Sequence, residues 1–172
     1  MITIISGTNR SNSNTYKVAS TCKEILDNRD CASQIFSLED LPNDFLFSEM
    51  YQDHTEEFTN TIEQYLHQVD KIIFVIPEYH GSYPGVLKSF MDAISDDDVM
   101  NKKAMLIGVA SGHAGAIRPL GHFTEVLHHL KVEVFSRKPK LSYIDKLLGD
   151  TGILDEKSQA NLSIQLNLFL DF

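Results

Sequence analysis

The sequence predicts an α/β fold in which a parallel sheet is covered by helices on both faces. Short apolar segments rich in β-branched residues, typical of buried strands, alternate with segments whose apolar residues recur at helical spacing. Small, polar or turn-forming residues follow several of the strand-like segments. Consecutive parallel strands need a crossover, and right-handed helical crossovers place helices on both faces of the sheet. We therefore expect a three-layer α/β sandwich.

The predicted elements cover most of the chain. Five strands are expected at residues 2–5, 33–38, 71–76, 104–110 and 132–135, with the second, less apolar strand at an edge of the sheet. Helices are expected at residues 14–28, 53–69, 86–94, 117–130 and 155–169, the last one facing the sheet with Ile164 and Leu168. Residues 39–50 are predicted to form a long, lid-like loop and residues 96–98 a solvated helix end, and residues 136–152 have no predicted structure.

Length and composition limit the classes of protein to consider. The 172 residues suffice for one domain spanning residues 1–172, and a net charge of −9 argues against a nucleic-acid partner. No apolar run approaches the length of a membrane span, and the N-terminus lacks the basic region of a signal peptide. Cys22 and Cys31 have neither metal-binding nor disulfide spacing. We expect a cytoplasmic protein that binds neither nucleic acid nor a membrane.

The segment after the first strand indicates an anion site. Residues 6–15 read Ser-Gly-Thr-Asn-Arg-Ser-Asn-Ser-Asn-Thr and lead into the first helix. Free N–H groups and the helix dipole favour negative charge at such a helix start, and Arg10 supplies a planar guanidinium that matches phosphate. The alternative is an ordinary polar turn with a good helix cap, because Ser, Asn and Thr are all favoured at that position.

Two further polar loops follow the third and fourth predicted strands. Residues 77–85 read Pro-Glu-Tyr-His-Gly-Ser-Tyr-Pro-Gly, and residues 111–115 read Ser-Gly-His-Ala-Gly. Since the carboxyl ends of parallel strands meet at one edge, the order 2-1-3-4-5 would bring these loops to the first one, at the topological switch point of the sheet. For residues 77–85 the alternative is turn chemistry alone, with Pro84 opening a helix.

The three loops resemble the motifs of a known family. Residues 7–15 resemble the phosphate loop of the NADPH-dependent FMN reductases, residues 77–88 resemble a second motif of that family, and residues 111–118 resemble a third, looser one. The resemblance implies a flavodoxin-like fold with a five-stranded sheet and bound FMN. It also implies hydride transfer from NADPH or NADH through the flavin to a small-molecule electron acceptor, such as a quinone, free flavin or azo compound, by a ping-pong mechanism.

The resemblance further implies roles for individual residues. Those expected to bind the FMN phosphate are Arg10, Ser13 and Thr15, with Thr8, Ser11 and Asn14 nearby. Those expected beside the isoalloxazine ring, mostly through backbone groups, are Pro77, Glu78, Tyr79, His80 and Gly81, with Ser111 and Gly112 at the other polar edge of the ring. No catalytic side chain and no metal are expected, because the flavin carries the chemistry.

Histidines offer competing interpretations. His80 stands where the family motif has Asn, and we interpret it as meeting a backbone demand of the turn rather than as a general acid. His122, Glu125 and His129 share one face of a predicted helix, but two turns separate the histidines, so we expect a solvated face instead of a metal site.

Function and assembly also have alternatives at this level. A flavodoxin-like electron carrier would bind FMN without reacting with NADPH or NADH. Members of the family commonly form dimers, and the resemblance implies a homodimer or homotetramer. Val86, Leu87, Phe90 and Met91 give the helix after the third strand more apolar surface than one sheet contact requires, so we expect the helices after the third and fourth strands at the interface.

Overall fold

A parallel sheet forms the centre of the protein, which the computed structural model describes at residues 1–51 and 53–172. The strands are β1 (Ile2–Ser6), β2 (Ser33–Ser37), β3 (Lys71–Pro77), β4 (Lys103–Ala110), β5 (Glu133–Val134) and β6 (Lys140–Ser142). Their order is β2-β1-β3-β4-β5, with every pair parallel, which confirms the predicted order and the edge position of β2. The flavodoxin-like three-layer architecture is therefore confirmed.

The fifth predicted strand is shorter than expected, and a sixth strand joins the sheet. β5 pairs with the start of β4 at Lys103 and Ala104, and β6 pairs with the end of β4 at residues 108–110. Between them the chain keeps contact with β4, because the Gly108 N–H donates to the Pro139 carbonyl over 2.8 Å. Pro139 itself has no N–H to donate, so the edge strand is split into two pieces along β4.

Helices follow the strands on both faces of the sheet. They are α1 (Asn14–Asp27), α2 (Phe45–Ser48), α3 (Glu56–Ile62), α4 (Gly85–Ala93), α5 (Asp96–Val99), α6 (Ile117–His129), α7 (Ile144–Leu148) and α8 (Glu156–Leu170). A π-helical turn at Glu63–His67 continues α3, and together these two cover most of the helix predicted at residues 53–69. None of the described helices is long and apolar enough to cross a membrane.

The segment predicted as a long loop at residues 39–50 is partly helical and is anchored to the body of the protein. A 3-10 turn at Leu38–Asp40 is followed by α2. Phe45 is buried with its ring edge against Phe58, and the buried Glu49 carboxylate accepts from the N–H of Thr55 at 3.0 Å and from its hydroxyl at 2.9 Å. These contacts hold the segment in place, whereas Phe47 remains 80% exposed.

Two apolar clusters fill the space on either side of the sheet. One packs β3 and β4 against α3, α4 and α6, with Leu87, Phe90 and Met91 of α4 buried inside it. The other packs the opposite face against α1 and α8. The predicted orientation of the last helix is wrong: Ile164 is 57% and Leu168 37% exposed, and a set offset along the helix (Leu162, Leu166 and Phe169) is buried instead.

The acidic segment at residues 96–98 is also different from the predicted solvated helix end. It begins the short helix α5, with Ser95 as its N-cap. Asp98 is buried, accepts from the Ser95 N–H at 2.7 Å and lies 2.6 Å from Nε2 of His67. The segment therefore links α5 to the π-helical turn after α3, and only Asp96 and Asp97 are exposed.

Candidate functional site

The loops after β1, β3 and β4 meet at the carboxyl edge of the sheet and enclose a cleft of about 350 Å³. This position is where open α/β sheets bind ligands. The residues that line the cleft come from these loops and from the start of α7: Arg10, Asn12, Ser13, Asn14, Thr15, Pro77, Glu78, Tyr79, Val109, Ala110, Ser111, Ile144 and Asp145. The predicted convergence of the three loops is confirmed.

The loop after β1 is fixed against β3 by close backbone contact. The N–H of Gly7 donates to the carbonyl of Val75 over 2.9 Å, and a Cβ at residue 7 would lie 2.9 Å from the same oxygen. Only glycine allows this approach without a shift of the backbone. Next to it Thr8 is 1% exposed, and its hydroxyl lies 2.8 Å from the hydroxyl of Tyr79. The first two loops are thus joined at the base of the cleft.

The start of α1 supplies hydrogen-bond donors to the cleft. Ser13 is the N-cap, and its hydroxyl accepts from the N–H of Tyr16 at 3.1 Å. The N–H groups of Asn14 and Thr15, in the first turn, have no acceptor within the helix and are directed beyond its N-terminus. The exposed side chain of Arg10 also lines the cleft. This donor set, together with the helix dipole, is complementary to a phosphate dianion.

The loop after β3 is a tight turn that places Glu78 and Tyr79 in the wall. The N–H and carbonyl of Tyr79 both bond to Ser82, at 2.9 and 3.1 Å. His80 and Gly81 between them have φ of 50° and 81°, so both adopt the left-handed conformation. His is among the residues that tolerate this conformation, which confirms that the turn makes a backbone demand at His80.

The loop after β4 is held by the segment that sequence patterns did not resolve. The Tyr143 N–H donates to the Gly112 carbonyl at 3.2 Å, and the Ser142 hydroxyl donates to the His113 carbonyl at 2.7 Å. Asp145, the second residue of α7, lines the cleft, and its Oδ1 accepts from the side-chain amide of Asn14 at 2.8 Å. Hydrogen bonds from Ser111 and then Asn14 lower the pKa of the Asp145 carboxyl, so it is ionised at neutral pH.

The predicted site residues divide into two groups. Those in the wall of the cleft are Arg10, Ser13, Asn14, Thr15, Pro77, Glu78, Tyr79 and Ser111. Those beside it are Thr8, Ser11, His80, Gly81 and Gly112. In this second group the Ser11 hydroxyl donates to the Glu39 carboxylate at 2.5 Å, and the Thr8 hydroxyl contacts the hydroxyl of Tyr79.

Several lining residues were missed by sequence reasoning. Asn12 lies inside the predicted phosphate loop, and Val109 and Ala110 directly precede the third loop, so position alone would have found them. Ile144 and Asp145 had no such signal, because their segment carries no motif.

Two side chains of α6 contact polar groups of the loop after β3. The Arg118 guanidinium lies 3.6 Å from the Glu78 carboxylate, and the ring of His122 lies 3.0 Å from the Ser82 hydroxyl. Glu125 and His129 are exposed on the same helix, as expected for a solvated face. In the described portion of the chain, no three His, Cys, Asp or Glu side chains are grouped to hold a metal ion.

The cleft fits FMN in the chemistry of its walls. The phosphate would be held by Arg10 and by the first turn of α1, where the unbonded N–H groups lie. Pro77, Val109 and Ile144 add apolar side chains to the lining, which suits an aromatic ring.

The sequence matches known proteins over most of its length. Residues 1–141 match the family described as NADPH-dependent FMN reductase. An FMN-dependent NADPH-azoreductase from Staphylococcus aureus (strain USA300) is 29% identical over 130 residues, which cover 74% of this chain and 69% of that protein. The corresponding azoreductase from Staphylococcus saprophyticus is 28% identical over the same shares of both chains.

Solved structures show the same fold. An NADH:FMN oxidoreductase superposes with a TM-score of 0.78 at 20% identity, covering 98% of this chain and 87% of that one. The flavoenzyme FerB of Paracoccus denitrificans, an NAD(P)H:(acceptor) oxidoreductase, gives 0.77 at 23% identity, covering 99% and 94%. Flavodoxin 2 of Bacillus cereus gives 0.65 at 18% identity, covering 99% and 97%. Sequence motifs, sheet order and the donor-lined cleft agree with the family match, and the chain belongs to the NADPH-dependent FMN reductase family.

Proposed function

We propose that FMN binds in the cleft at the carboxyl edge of the sheet, with its phosphate on the first turn of α1 and its ring along the loops after β3 and β4. The observation that carries this proposal is the juxtaposition of Arg10 and the unbonded N–H groups of Asn14 and Thr15 in one cleft with Glu78 and Tyr79. The second loop would run beside the ring mainly through its backbone, because the turn at His80 and Gly81 fixes that backbone. Ser111 and Gly112 would approach the other edge.

The residues of the chain bind and orient, and the flavin supplies the redox chemistry. FMN held by Arg10 and the first turn of α1 would supply hydride transfer from NADPH or NADH to a small acceptor. Thr8 fixes the ring of Tyr79 through the hydroxyl contact at 2.8 Å. No side chain is assigned as an acid or base, since proton exchange at an open ring edge goes through solvent. The cleft lies at the protein surface, where the ring would keep one face accessible.

We infer that donor and acceptor use this accessible face in turn, which is a ping-pong mechanism. The azoreductases and NADH:FMN oxidoreductase that resemble this chain carry names consistent with small acceptors such as azo compounds and free flavins. Quinones belong to the same chemical class of flat, two-electron acceptors.

Initial-rate measurements test the mechanism. The FMN-loaded protein is assayed with NADPH varied at several fixed concentrations of a quinone, and then of free FMN. Parallel double-reciprocal lines are expected for both acceptors. Lines that intersect for both would overturn the single shared face, and no turnover with NADPH or NADH would make the protein an electron carrier instead.

We also propose that the protein is a homodimer or homotetramer, formed by the helices after β3 and β4. Leu87, Phe90 and Met91 do not supply this interface, contrary to the expectation from sequence, because they are buried within the chain itself. A surface groove of about 530 Å³ between α4 and α6, partly lined by Ile94, Val126 and Leu130, supports the same face. Light scattering at micromolar concentration tests this, and a monomer would contradict it.

Two further proposals concern the domain organisation and the cellular location. We propose that residues 1–172 form one FMN-binding domain, because both apolar clusters share the central sheet. A cytoplasmic location is supported by two free thiols, of which Cys22 is buried and Cys31 partly buried. Fractionation of cells that express the tagged protein tests the location.

A further inference from the structure

Asp145 lies between the two ends of the proposed flavin site. Its carboxylate accepts from Asn14, which is the first residue of α1, at the phosphate end of the cleft. Ser111, in the loop after β4 where the ring would lie, lines the same cleft, and its side chain lowers the pKa of the Asp145 carboxyl. One side chain therefore spans the distance between the phosphate end and the ring end. In FMN the part of the molecule between these ends is the ribityl chain, with its hydroxyl groups.

The chemistry of a carboxylate suits hydroxyl groups and does not suit phosphate. An ionised carboxylate only accepts hydrogen bonds, a phosphate dianion also only accepts them, and the two repel each other. A ribityl hydroxyl can donate. The carboxylate has about four acceptor positions on two oxygens, so Asn14 and Ser111 leave capacity for a further donor. Asp145 is exposed in the wall of the cleft, where a ligand can reach it.

We propose that Asp145 is a cofactor-binding residue that accepts a hydrogen bond from the ribityl chain of the flavin. The inference rests on the proposed FMN site and assigns it a contact from α7, outside the three polar loops. Asn14 and Ser111 then have a second role, because they hold the carboxylate in place between the ends of the cofactor. The contribution of Asp145 to flavin affinity therefore requires the ribityl chain and does not require the phosphate.

Three ligands separate this role from its alternatives. FMN has ring, ribityl chain and phosphate, riboflavin lacks the phosphate, and lumiflavin has the ring with only a methyl group in place of the chain. Their dissociation constants are measured by flavin fluorescence with the flavin-free protein, at neutral pH, for the wild type, Asp145→Ala and Asp145→Asn. Asp150→Ala is the matched control, because Asp150 is an exposed Asp just after α7 and outside the cleft.

Asp145→Ala is expected to weaken riboflavin on the order of tenfold, for one hydrogen bond to a charged acceptor, and to weaken FMN by less, because loss of the carboxylate also removes its repulsion of the phosphate. Lumiflavin affinity should not change. Asp145→Asn should lose less than Asp145→Ala, because the amide oxygen still accepts. Asp150→Ala should bind all three ligands as the wild type does, and urea unfolding should give the same midpoint for every variant.

Other patterns overturn the inference. A loss confined to FMN would mean that Asp145 acts through Asn14 on the phosphate, and an equal loss for lumiflavin would mean that it only fixes the loop at Ser111. Unchanged or tighter binding of FMN and riboflavin would exclude a ribityl contact. If the wild type binds none of the three flavins, the proposed function itself fails, which is a separate result.

Discussion

The hydroxyl groups of Thr8 and Tyr79 lie 2.8 Å apart, although the two residues are 71 positions apart in the chain. Thr8 is 1% exposed, whereas Tyr79 is partly exposed and lines the cleft, so the contact runs from the interior to the cleft wall. It joins the loop expected to bind the phosphate to the loop expected to bind the ring. A contact within the protein itself therefore fixes these two loops of the proposed cofactor site relative to each other.

Tyr79→Phe tests this connection. The variant keeps the ring and removes the hydroxyl, so the Thr8 hydroxyl loses its link to the second loop and keeps only the Arg10 N–H, at 3.3 Å. We expect FMN affinity to fall by roughly threefold to tenfold, the worth of one hydrogen bond. Tyr83→Phe is the matched control, because Tyr83 packs on Phe123 outside the cleft. Fluorescence titration of both variants checks the prediction, and equal affinities would show that the contact does not organise the site.

Arg10→Ala should separate FMN from riboflavin. The guanidinium of Arg10 lines the phosphate end of the cleft, and only FMN offers a phosphate. Loss of a charge-assisted hydrogen bond should weaken FMN by roughly tenfold to hundredfold and leave riboflavin nearly unchanged. Arg137→Ala removes an exposed arginine elsewhere on the surface and serves as the control. An equal loss for both flavins would remove Arg10 from the phosphate site.

His80 should behave as a backbone residue. It has φ of 50°, a conformation that Asn also tolerates and that a β-branched residue strongly resists. His80→Asn is expected to keep FMN affinity and most turnover, and His80→Val to lose both, with a stability cost of about 1–3 kcal/mol. Stopped-flow rates of hydride transfer against pH provide the check. A break near the imidazole pKa in the wild type that vanishes in His80→Asn, with a large rate loss, would make His80 an acid.

His67 should make stability depend on pH. Its ring lies 2.6 Å from the Asp98 carboxylate and 2.7 Å from that of Glu63, and these contacts raise its pKa above 6.5. Because the pKa is higher in the folded state, the stabilisation is complete below the unfolded value and is lost as the pH rises through the folded value.

Thermal unfolding of His67→Gln measures this effect. The variant should melt below the wild type at about pH 6, and the difference should shrink as the pH rises through the raised pKa of His67 in the folded state. His128→Gln changes an exposed histidine on α6 that lies outside the proposed interface groove, and it controls for the substitution. A difference in melting temperature that stays the same as the pH rises would contradict the prediction.

The sequence was sufficient for the parts of the fold that periodic patterns determine. β1, β3 and β4 are apolar on both faces and could be placed within a residue or two, and the strand order is that of the flavodoxin-like fold that the family resemblance implies. The last helix had no such pattern. It has apolar residues on several faces, so the sequence does not show which of them face the sheet. Ile164 and Leu168 are predicted to do so, but Leu162 and Leu166 are the buried residues.

The site was predictable where a motif stands next to a strand and not where tertiary contacts create it. Arg10 and Tyr79 were found because loops after parallel strands converge. Asp145 reaches the cleft only because β6 continues the split edge strand along β4 and delivers the start of α7 to the same edge. Asp98 is a similar case. An acidic run in a sequence is typical of an exposed surface, and only the tertiary structure places the ring of His67 next to the Asp98 carboxylate.

Anaerobic mixing of the FMN-loaded protein with NADPH or NADH, followed by stopped-flow absorbance, tests the central claim most directly. If the cleft holds FMN with one face open to a nicotinamide donor, the absorbance of bound flavin should bleach within the time of one catalytic turnover. The bleached protein should regain its colour when a quinone is then added. A flavin band that stays unchanged with both NADPH and NADH would contradict the account and leave a protein that binds FMN without oxidising either donor.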